Sequence, residues 1–351
     1  AIAASAMSVQ GRSLSSYAVG FDFDRGINEL PKARRVAEHL GLDHHELRVS
    51  ANDLESTLVA LAQAHDEPFA DAANIPLYLL CRQLDGAVKV VLQGDGGDEM
   101  FAGYRRHAIL ENAGYWRMWP RMLTPLARAA GSRGLRFARM AEAAGNRDAA
   151  MRMALLLTVE TLDDPPERLL EADRRASLAA TTDPFLAYRN AARRFARHDP
   201  VQQMLLTDLV VQLPSQFLAK VDRATMAAGV EARVPLLDER IGEIAVGMPS
   251  AWKVHGAQKK MVLRDSQRTR LPADILDGPK TGFGVPYEHW IRTSLHDLAR
   301  DAILDGGFLT RFGLNRAAVT QALDDHRTQR RERGFVLWKL FQLALWHSGS
   351  R

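Results

Sequence analysis

The sequence predicts an α/β fold, with a parallel sheet at the front of the chain and a large helical C-terminal part. Three observations carry this. Over residues 1–108 short strand-like stretches alternate with helix-period stretches, the pattern of parallel strands joined by crossover helices. From about Ile109 the period-two signal disappears, and Ala-, Arg- and Leu-rich helical patterns replace it. Between the two regimes an apolar run, Val90-Val91-Leu92, opens onto Gln93-Gly94-Asp95-Gly96-Gly97-Asp98-Glu99. Ligands of parallel sheets bind beyond the carboxyl ends of the strands, which is where this glycine loop falls.

The elements follow in order. Ala1–Met7 reads as the inside of a helix, with neither a cap nor a strand before it. Ser16–Phe21 reads as a strand. Pro31 opens a helix towards Gly41, with Ala33, Val36, Ala37 and Leu40 at helical spacing. Residues 44–49 form a short strand. Ser50 is placed to cap a helix carrying Leu54, Leu58 and Leu61. Ile75–Leu84 reads as another helix, and Val88–Leu92 as a buried strand feeding the glycine loop. Beyond it, breaks are expected at Pro120, Pro125, Gly131–Gly134, Pro165-Pro166 and Pro184. The expected organisation is a nucleotide-binding core over 1–108, a helical region over 109–200, and a helical part over 201–351 that carries further loops and packs on the core.

Bulk properties narrow the function. The chain has 351 residues, 46% of them hydrophobic and 25% charged, ordinary for a soluble globular protein. Its only cysteine, Cys81, excludes an intrachain disulfide and fits a reducing, cytoplasmic setting. Cys81 lies in an apolar helical context and is read as a core residue. No apolar run reaches membrane-spanning length. A net charge of +4 is too mild to argue for nucleic acid, so neither nucleic acid nor a membrane is expected as a partner. A homodimer stays open. The basic stretch Arg327–Arg333 is read as a solvated helix face. His44 and His45 are adjacent on a strand and point to opposite faces, which argues against a shared metal.

The glycine loop holds the most chemistry. Gly94, Gly96 and Gly97 let backbone N–H groups approach a ligand closely. Carboxylates do not attract phosphate, so Asp95, Asp98 and Glu99 beside such a cradle imply Mg²⁺ between them and a polyphosphate. A tight strand-to-helix turn with a solvated acidic cap is the plain alternative.

This segment resembles the second nucleotide-loop motif of the asparagine synthetase family, Gly-(Asp/Glu)-Gly-x-Asp-Glu followed by Phe-(Gly/Ala)-Gly-Tyr, here Phe101-Ala102-Gly103-Tyr104. Lys220-Val221-Asp222-Arg223-Ala224-Thr225-Met226-Ala227 resembles that family's KVDRxSMA box. Glu231-Ala232-Arg233-Val234-Pro235-Leu236-Leu237-Asp238 is similar to its ExRVPFLD box. Lys260–Arg264, Pro279–Pro286, Leu40–Glu46 and Asp66-Glu67-Pro68-Phe69 match further boxes in the same order. Four of the eight lysines (Lys220, Lys259, Lys260, Lys280) fall within the one stretch that holds the downstream boxes, where a compact ammonium suits phosphate chemistry.

The resemblance implies a sheet of the adenine-nucleotide alpha-hydrolase, or pyrophosphate-loop ATPase, type, with ATP and Mg²⁺ as cofactors. By the same resemblance Val19 and Gly20 border the adenine, Gly94 meets the nucleotide through its backbone, and Asp98 is a Mg²⁺ ligand. Asp95, where many relatives have glutamate, stabilises or deprotonates the ammonia-derived nucleophile. Lys280 stabilises the α-phosphate and departing pyrophosphate, with Gly282 and Gly284 forming a mobile lid. Lys260 is a second phosphate ligand, preferred over its neighbour Lys259. Gln93 stands where serine is frequent. Asp222, Arg223, Glu231, Arg233 and Asp238 are expected as buried or semi-buried ion pairs holding the motif loops. Arg105 and Arg106 either support a substrate carboxylate or face solvent. The family's first strand, its Ser-Gly-Gly-x-Asp-Ser loop and its glutamine-hydrolysing domain are not in this sequence, so the expectation is a synthetase domain lacking its front edge. The implied reaction activates aspartate or a related acid as an acyl-adenylate, then amidates it with glutamine-derived ammonia. Another acid (a sugar uronate, a β-lactam or peptide precursor) and a catalytically inactive binding module are the alternatives.

Overall fold

The computed structural model describes residues 2–9, 13–21, 29–49, 54–84, 86–118, 131–157, 165–278 and 284–349. Helix α1 (Ile2–Val9) leads into strand β1 (Ser15–Phe21). Helix α2 (Leu30–His39), with proline in its first turn, connects β1 to β2 (Asp43–Val49). The two strands pair in parallel, Ser15 opposite Asp43 and Phe21 opposite Val49. Helices α3 (Leu54–His65) and α4 (Asn74–Gln83) follow, then β3 (Val90–Leu92). Strand β3 pairs in parallel with β4 (Glu231–Arg233), which brings the box Glu231–Asp238 to the glycine loop's side.

The expected single parallel sheet is instead two separate parallel pairs among the described residues, plus a small antiparallel pair of β5 (Val254–His255) and β6 (Gln258–Lys259). The expected buried strand Val88–Leu92 is shorter and half open. Val90 and Leu92 are 39% and 49% exposed, because alternate side chains of this two-stranded ribbon face outward.

The main core lies between α3 and α4 and the C-terminal helices Tyr287–Arg292, His296–Ile303 and Gly334–Gly349. Leu54, Leu58 and Leu61, at helical spacing on α3, meet Ile75, Ile291, Leu337 and Phe341, all fully buried. Each such side chain contributes about 1.5–3 kcal/mol of apolar burial. Trp338 adds a polar tie, its indole N–H donating to the Ala70 carbonyl at 2.9 Å. Cys81 is part of this core, and burial pushes its thiol up to about 11. A second cluster joins Leu110, Met153, Val201, Met204, Leu205 and Val254.

Other expectations fare unevenly. Gly131–Gly134 are helical, within Gly131–Ala144, and the residues before them lie outside the described ones. Pro165 precedes a short 3₁₀ turn at Pro166–Leu169, and Pro184 lies in the turn between helices Ala172–Thr181 and Leu186–Arg194. The basic stretch is solvated but is not a helix face: Arg316–Arg327 ends there, and Gln329 takes a left-handed φ of 58°. Ser50, Pro120, Pro125, Lys280 and Gly282 lie outside the described residues. No helix among the described residues is long and apolar enough to cross a membrane.

Candidate active site at the acidic glycine loop

The site is built where β3 ends. Gln93 extends the ladder by one bond, its N–H donating to the Arg233 carbonyl at 2.9 Å. The chain then turns through Gly96, whose φ of 81° is left-handed, and enters the short helix α5 (Gly97–Met100). A Cβ at Gly96 would also overlap Leu237 of the neighbouring box, so both conformation and space require glycine there. After α5 the backbone folds back on itself: Ala102 takes a φ of 57°, and the Gly103 N–H donates to the Asp98 carbonyl at 2.9 Å. This return places Gly103 against the Asp98 carboxylate, where any side chain would collide.

The loop carries two carboxylates of different setting, Asp98 and Asp95. On one side Lys260 Nζ lies 3.2 Å from Asp98 Oδ1, with the two side chains 27% and 24% exposed. Lys260 itself sits at a left-handed φ of 53°, immediately before the helix Met261–Asp265. On the other side is Asp95, half-buried. Burial raises its carboxyl above the usual range, the Lys220 ammonium opposes that, and Asp71 and Asp98 add to it.

Asp71 and Lys220 come from distant elements. Asp71, in the loop before α4, accepts from the Ala73 N–H through Oδ1 at 3.0 Å. Its Oδ2 accepts from Lys220 Nζ at 3.4 Å and from the Gln216 amide at 3.3 Å. Gln216 belongs to a π-helical stretch, Asp208–Leu218, that runs into the helix Ala219–Met226 carrying Lys220. Wide helical turns of this kind recur at functional sites. Gln212 continues the same face, donating to Gln216 at 3.2 Å and accepting from Arg106 at 2.7 Å.

A buried network anchors the floor. The Tyr104 hydroxyl donates to the Glu99 carboxylate, and burial raises the pKa of both groups. The Arg106 guanidinium stacks on the Tyr104 ring at 3.8 Å and pairs with Asp208 at 3.0 Å. His107 completes the set at 2.8 Å from the same Asp208 oxygen. Arg106 is thus structural, whereas Arg105 is exposed.

The structure therefore brings Gly94, Asp95, Asp98 and Lys260 together. Gly94 is exposed, with open space where a side chain would be. Val19 and Gly20 lie on the other parallel pair, opposite Leu47 and Arg48. Helix α4 packs against both β1 and the helix Ala219–Met226, linking the two pairs. Among the described residues no cluster of three or more His, Cys, Asp or Glu side chains is arranged to hold a metal ion. His44 bonds Ser16 at 2.8 Å while His45 stacks on Tyr17, two separate environments.

The ion-pair expectation is corrected. Arg233 does pair with Glu231 at 2.7 Å, but both side chains are more than half exposed, since they share the outward face of a three-residue strand. Asp238 is half-buried and does form an ion pair, with Arg240 at 2.9 Å, besides capping a helix by accepting from the Arg240 N–H at 3.0 Å; Asp222 and Arg223 are exposed. Asp71, Gln212, Gln216 and the Tyr104–Glu99 bond were not singled out from sequence. The four-residue spacing of Gln212, Gln216 and Lys220, one face of a helix, is the signal that marks them.

Residues 1–348 match the family described as asparagine synthase. The chain is 27% identical to asparagine synthetase [glutamine-hydrolyzing] 1 of Bacillus subtilis, over 96% of this chain and 52% of that protein. It is 31% identical to a putative asparagine synthetase [glutamine-hydrolyzing] of Mycobacterium tuberculosis, over 95% of this chain and 50% of that protein. Asparagine synthetase B of Escherichia coli is 24% identical over 83% of this chain and 38% of its own length. The chain thus spans about half the length of the curated relatives it matches most fully. Loop, boxes and family match agree, and the chain belongs to the asparagine synthase family.

Proposed function

We propose that this chain is the ATP-dependent, amide-forming part of an asparagine synthetase-like ligase of the cytoplasm. The observation that carries this reading is the pairing of Asp98 with Lys260 on a glycine loop at the carboxyl end of a parallel strand, with the half-buried Asp95 on the same loop. Such a loop suits a reaction with two halves. In the first, a carboxylate of the acid attacks the α-phosphate of ATP and pyrophosphate leaves. In the second, ammonia displaces AMP from the acyl carbon.

Aspartate is the acid favoured by the family, and ammonia comes from glutamine hydrolysed elsewhere or from solution. On this reading the fold is of the adenine-nucleotide alpha-hydrolase type, with residues 1–108 as its core and 109–200 and 201–351 packed on it as one synthetase unit. Val19 and Gly20 border the adenine, and Gly94 approaches the nucleotide through its open backbone. Lys260 and Lys280 balance charge on the phosphates as the bond to pyrophosphate breaks. Asp95 receives the proton lost by the attacking nitrogen, a role suited to a carboxylate with a raised pKa.

Mg²⁺ fits this donor set in a restricted way. Asp98 would hold the ion through a hard carboxylate oxygen, the donor type this ion takes. Bound there, it would supply positive charge beside the phosphates. Acid-dependent exchange of labelled pyrophosphate into ATP tests the reading directly. A panel of aspartate, glutamate and uronates, assayed with ammonium chloride, identifies the acid.

A further inference from the structure

We propose that Tyr104 is a positioning residue for the phosphate half of the site: by holding Glu99 in the floor, it fixes the direction in which Asp98 faces. The inference rests on the amide-forming reading above and deepens it, because Asp98 is the carboxylate which that reading gives to the metal.

The argument starts from the length of α5. Its four residues make about one helical turn, too few to keep a direction by their own hydrogen bonds. Neighbouring side chains on a helix point about 100° apart, so a fixed Glu99 also fixes where Asp98 points. Glu99 is 2% exposed and accepts from the Tyr104 hydroxyl. The Asp98 side chain is 24% exposed and meets Lys260 at 3.2 Å. One carboxylate is turned into the protein and the next is turned out of it.

Tyr104 can act as the clamp because its own ring is held. The Arg106 guanidinium lies 3.8 Å from the ring centroid, and the Phe217 ring stacks at 6.1 Å. Arg106 is pinned in turn by Asp208 at 3.0 Å and by the Gln212 amide oxygen at 2.7 Å. The Tyr104 N–H donates to His107 Nδ1 at 3.4 Å, which ties the residue to the helix Arg105–Glu111. Two bonds thus close the loop 98–104. The Gly103 N–H meets the Asp98 carbonyl at 2.9 Å, and the Tyr104 hydroxyl meets the Glu99 carboxylate. The backbone bond sets the path of the chain; the side-chain bond sets the rotation of α5 about its axis. Tyr104 touches no reacting atom and acts through Asp98.

Tyr104→Phe removes the hydroxyl and keeps the ring beside Arg106 and Phe217. Reductive methylation with ¹³C-formaldehyde labels the lysines, and the Lys260 resonance is assigned by its absence in Lys260→Arg. That resonance should move in Tyr104→Phe and stay in place in Tyr78→Phe, which removes a hydroxyl from the main core. Adding Tyr104→Phe to Asp98→Asn should move it no further, since the effect runs through that carboxylate. An unmoved Lys260 signal, or an equal movement with and without the Asp98 carboxylate, would overturn the proposal.

Pyrophosphate exchange supplies a second readout. The half-saturating Mg²⁺ concentration should rise about tenfold in Tyr104→Phe, the lower end of what groups that orient metal ligands contribute. The rate at saturating Mg²⁺ should be largely retained. Glu99→Leu breaks the same bond from the other side without leaving a buried charge, and should give the same rise. Glu99→Gln keeps an oxygen for the hydroxyl and should stay near the parent value. No rise in Glu99→Leu, or an equal rise in Glu99→Gln, would defeat the proposal, as would a uniform loss of rate at every Mg²⁺ concentration. No exchange in the parent chain, with the Lys260 signal moved as expected, would count against the amide-forming reading alone.

Discussion

Lys260 Nζ and Asp98 Oδ1 lie 3.2 Å apart, and Gly103 closes directly over both. A Cβ at Gly103 would overlap the Asp98 carboxylate and the Lys260 stem, so this glycine is what lets the pair form.

Gly103→Ala is therefore expected to displace Lys260 from Asp98 and to cost about 1–3 kcal/mol, as overpacking does. Urea unfolding reports the stability loss. Pyrophosphate exchange should fall further than the stability loss alone accounts for.

Gly96→Ala meets two penalties, a left-handed φ of 81° and an overlap with Leu237. The double variant with Leu237→Ala removes only the overlap. It should thus retain the conformational part, about 1 kcal/mol or more, and a full rescue in thermal unfolding would contradict the assignment.

Asp208 is fully buried and answers both Arg106 and His107. Asp208→Ala leaves that buried guanidinium unpaired, and a loss of about 3–5 kcal/mol is expected. The π-helical stretch begins at this residue, so protection of amide hydrogens from exchange should drop across 208–218.

Lys253 gives a pH signature far from the site. It is 1% exposed, its ammonium donates to Gln202 at 3.1 Å, and burial lowers its pKa from 10.5 to about 8. Between those values the unfolded chain binds the extra proton, so this group makes stability rise with pH from about 8 towards 10.5. The gain is at most about 3 kcal/mol. Lys253→Met should flatten that part of the stability profile, read from urea midpoints at several pH values.

The sequence made local features legible and long-range ones less so. Helices α2 and α3 are legible because Ala33, Val36 and Ala37 on one and Leu54, Leu58 and Leu61 on the other recur with helical period, and proline opens α2. The loop Gly94–Glu99 was visible because glycines and carboxylates rarely interleave by chance. The strand pairing is not legible, since nothing local says that Val90 meets Glu231 and leaves one face open. Glu231 and Arg233 were expected inside, yet a three-residue strand has too little cover to bury them. Asp71 escaped notice because its partners, Gln216 and Lys220, are 145 and 149 residues away.

The most direct test of the central claim is aspartate-dependent exchange of pyrophosphate into ATP, measured on the parent chain and on Lys280→Ala. The account predicts exchange in the parent and its loss in the variant, with the thermal unfolding midpoint unchanged. Exchange that persists in Lys280→Ala would remove this lysine from the mechanism. A parent that binds ATP–Mg²⁺ in calorimetry yet exchanges nothing with any acid of the panel would contradict the amide-forming account.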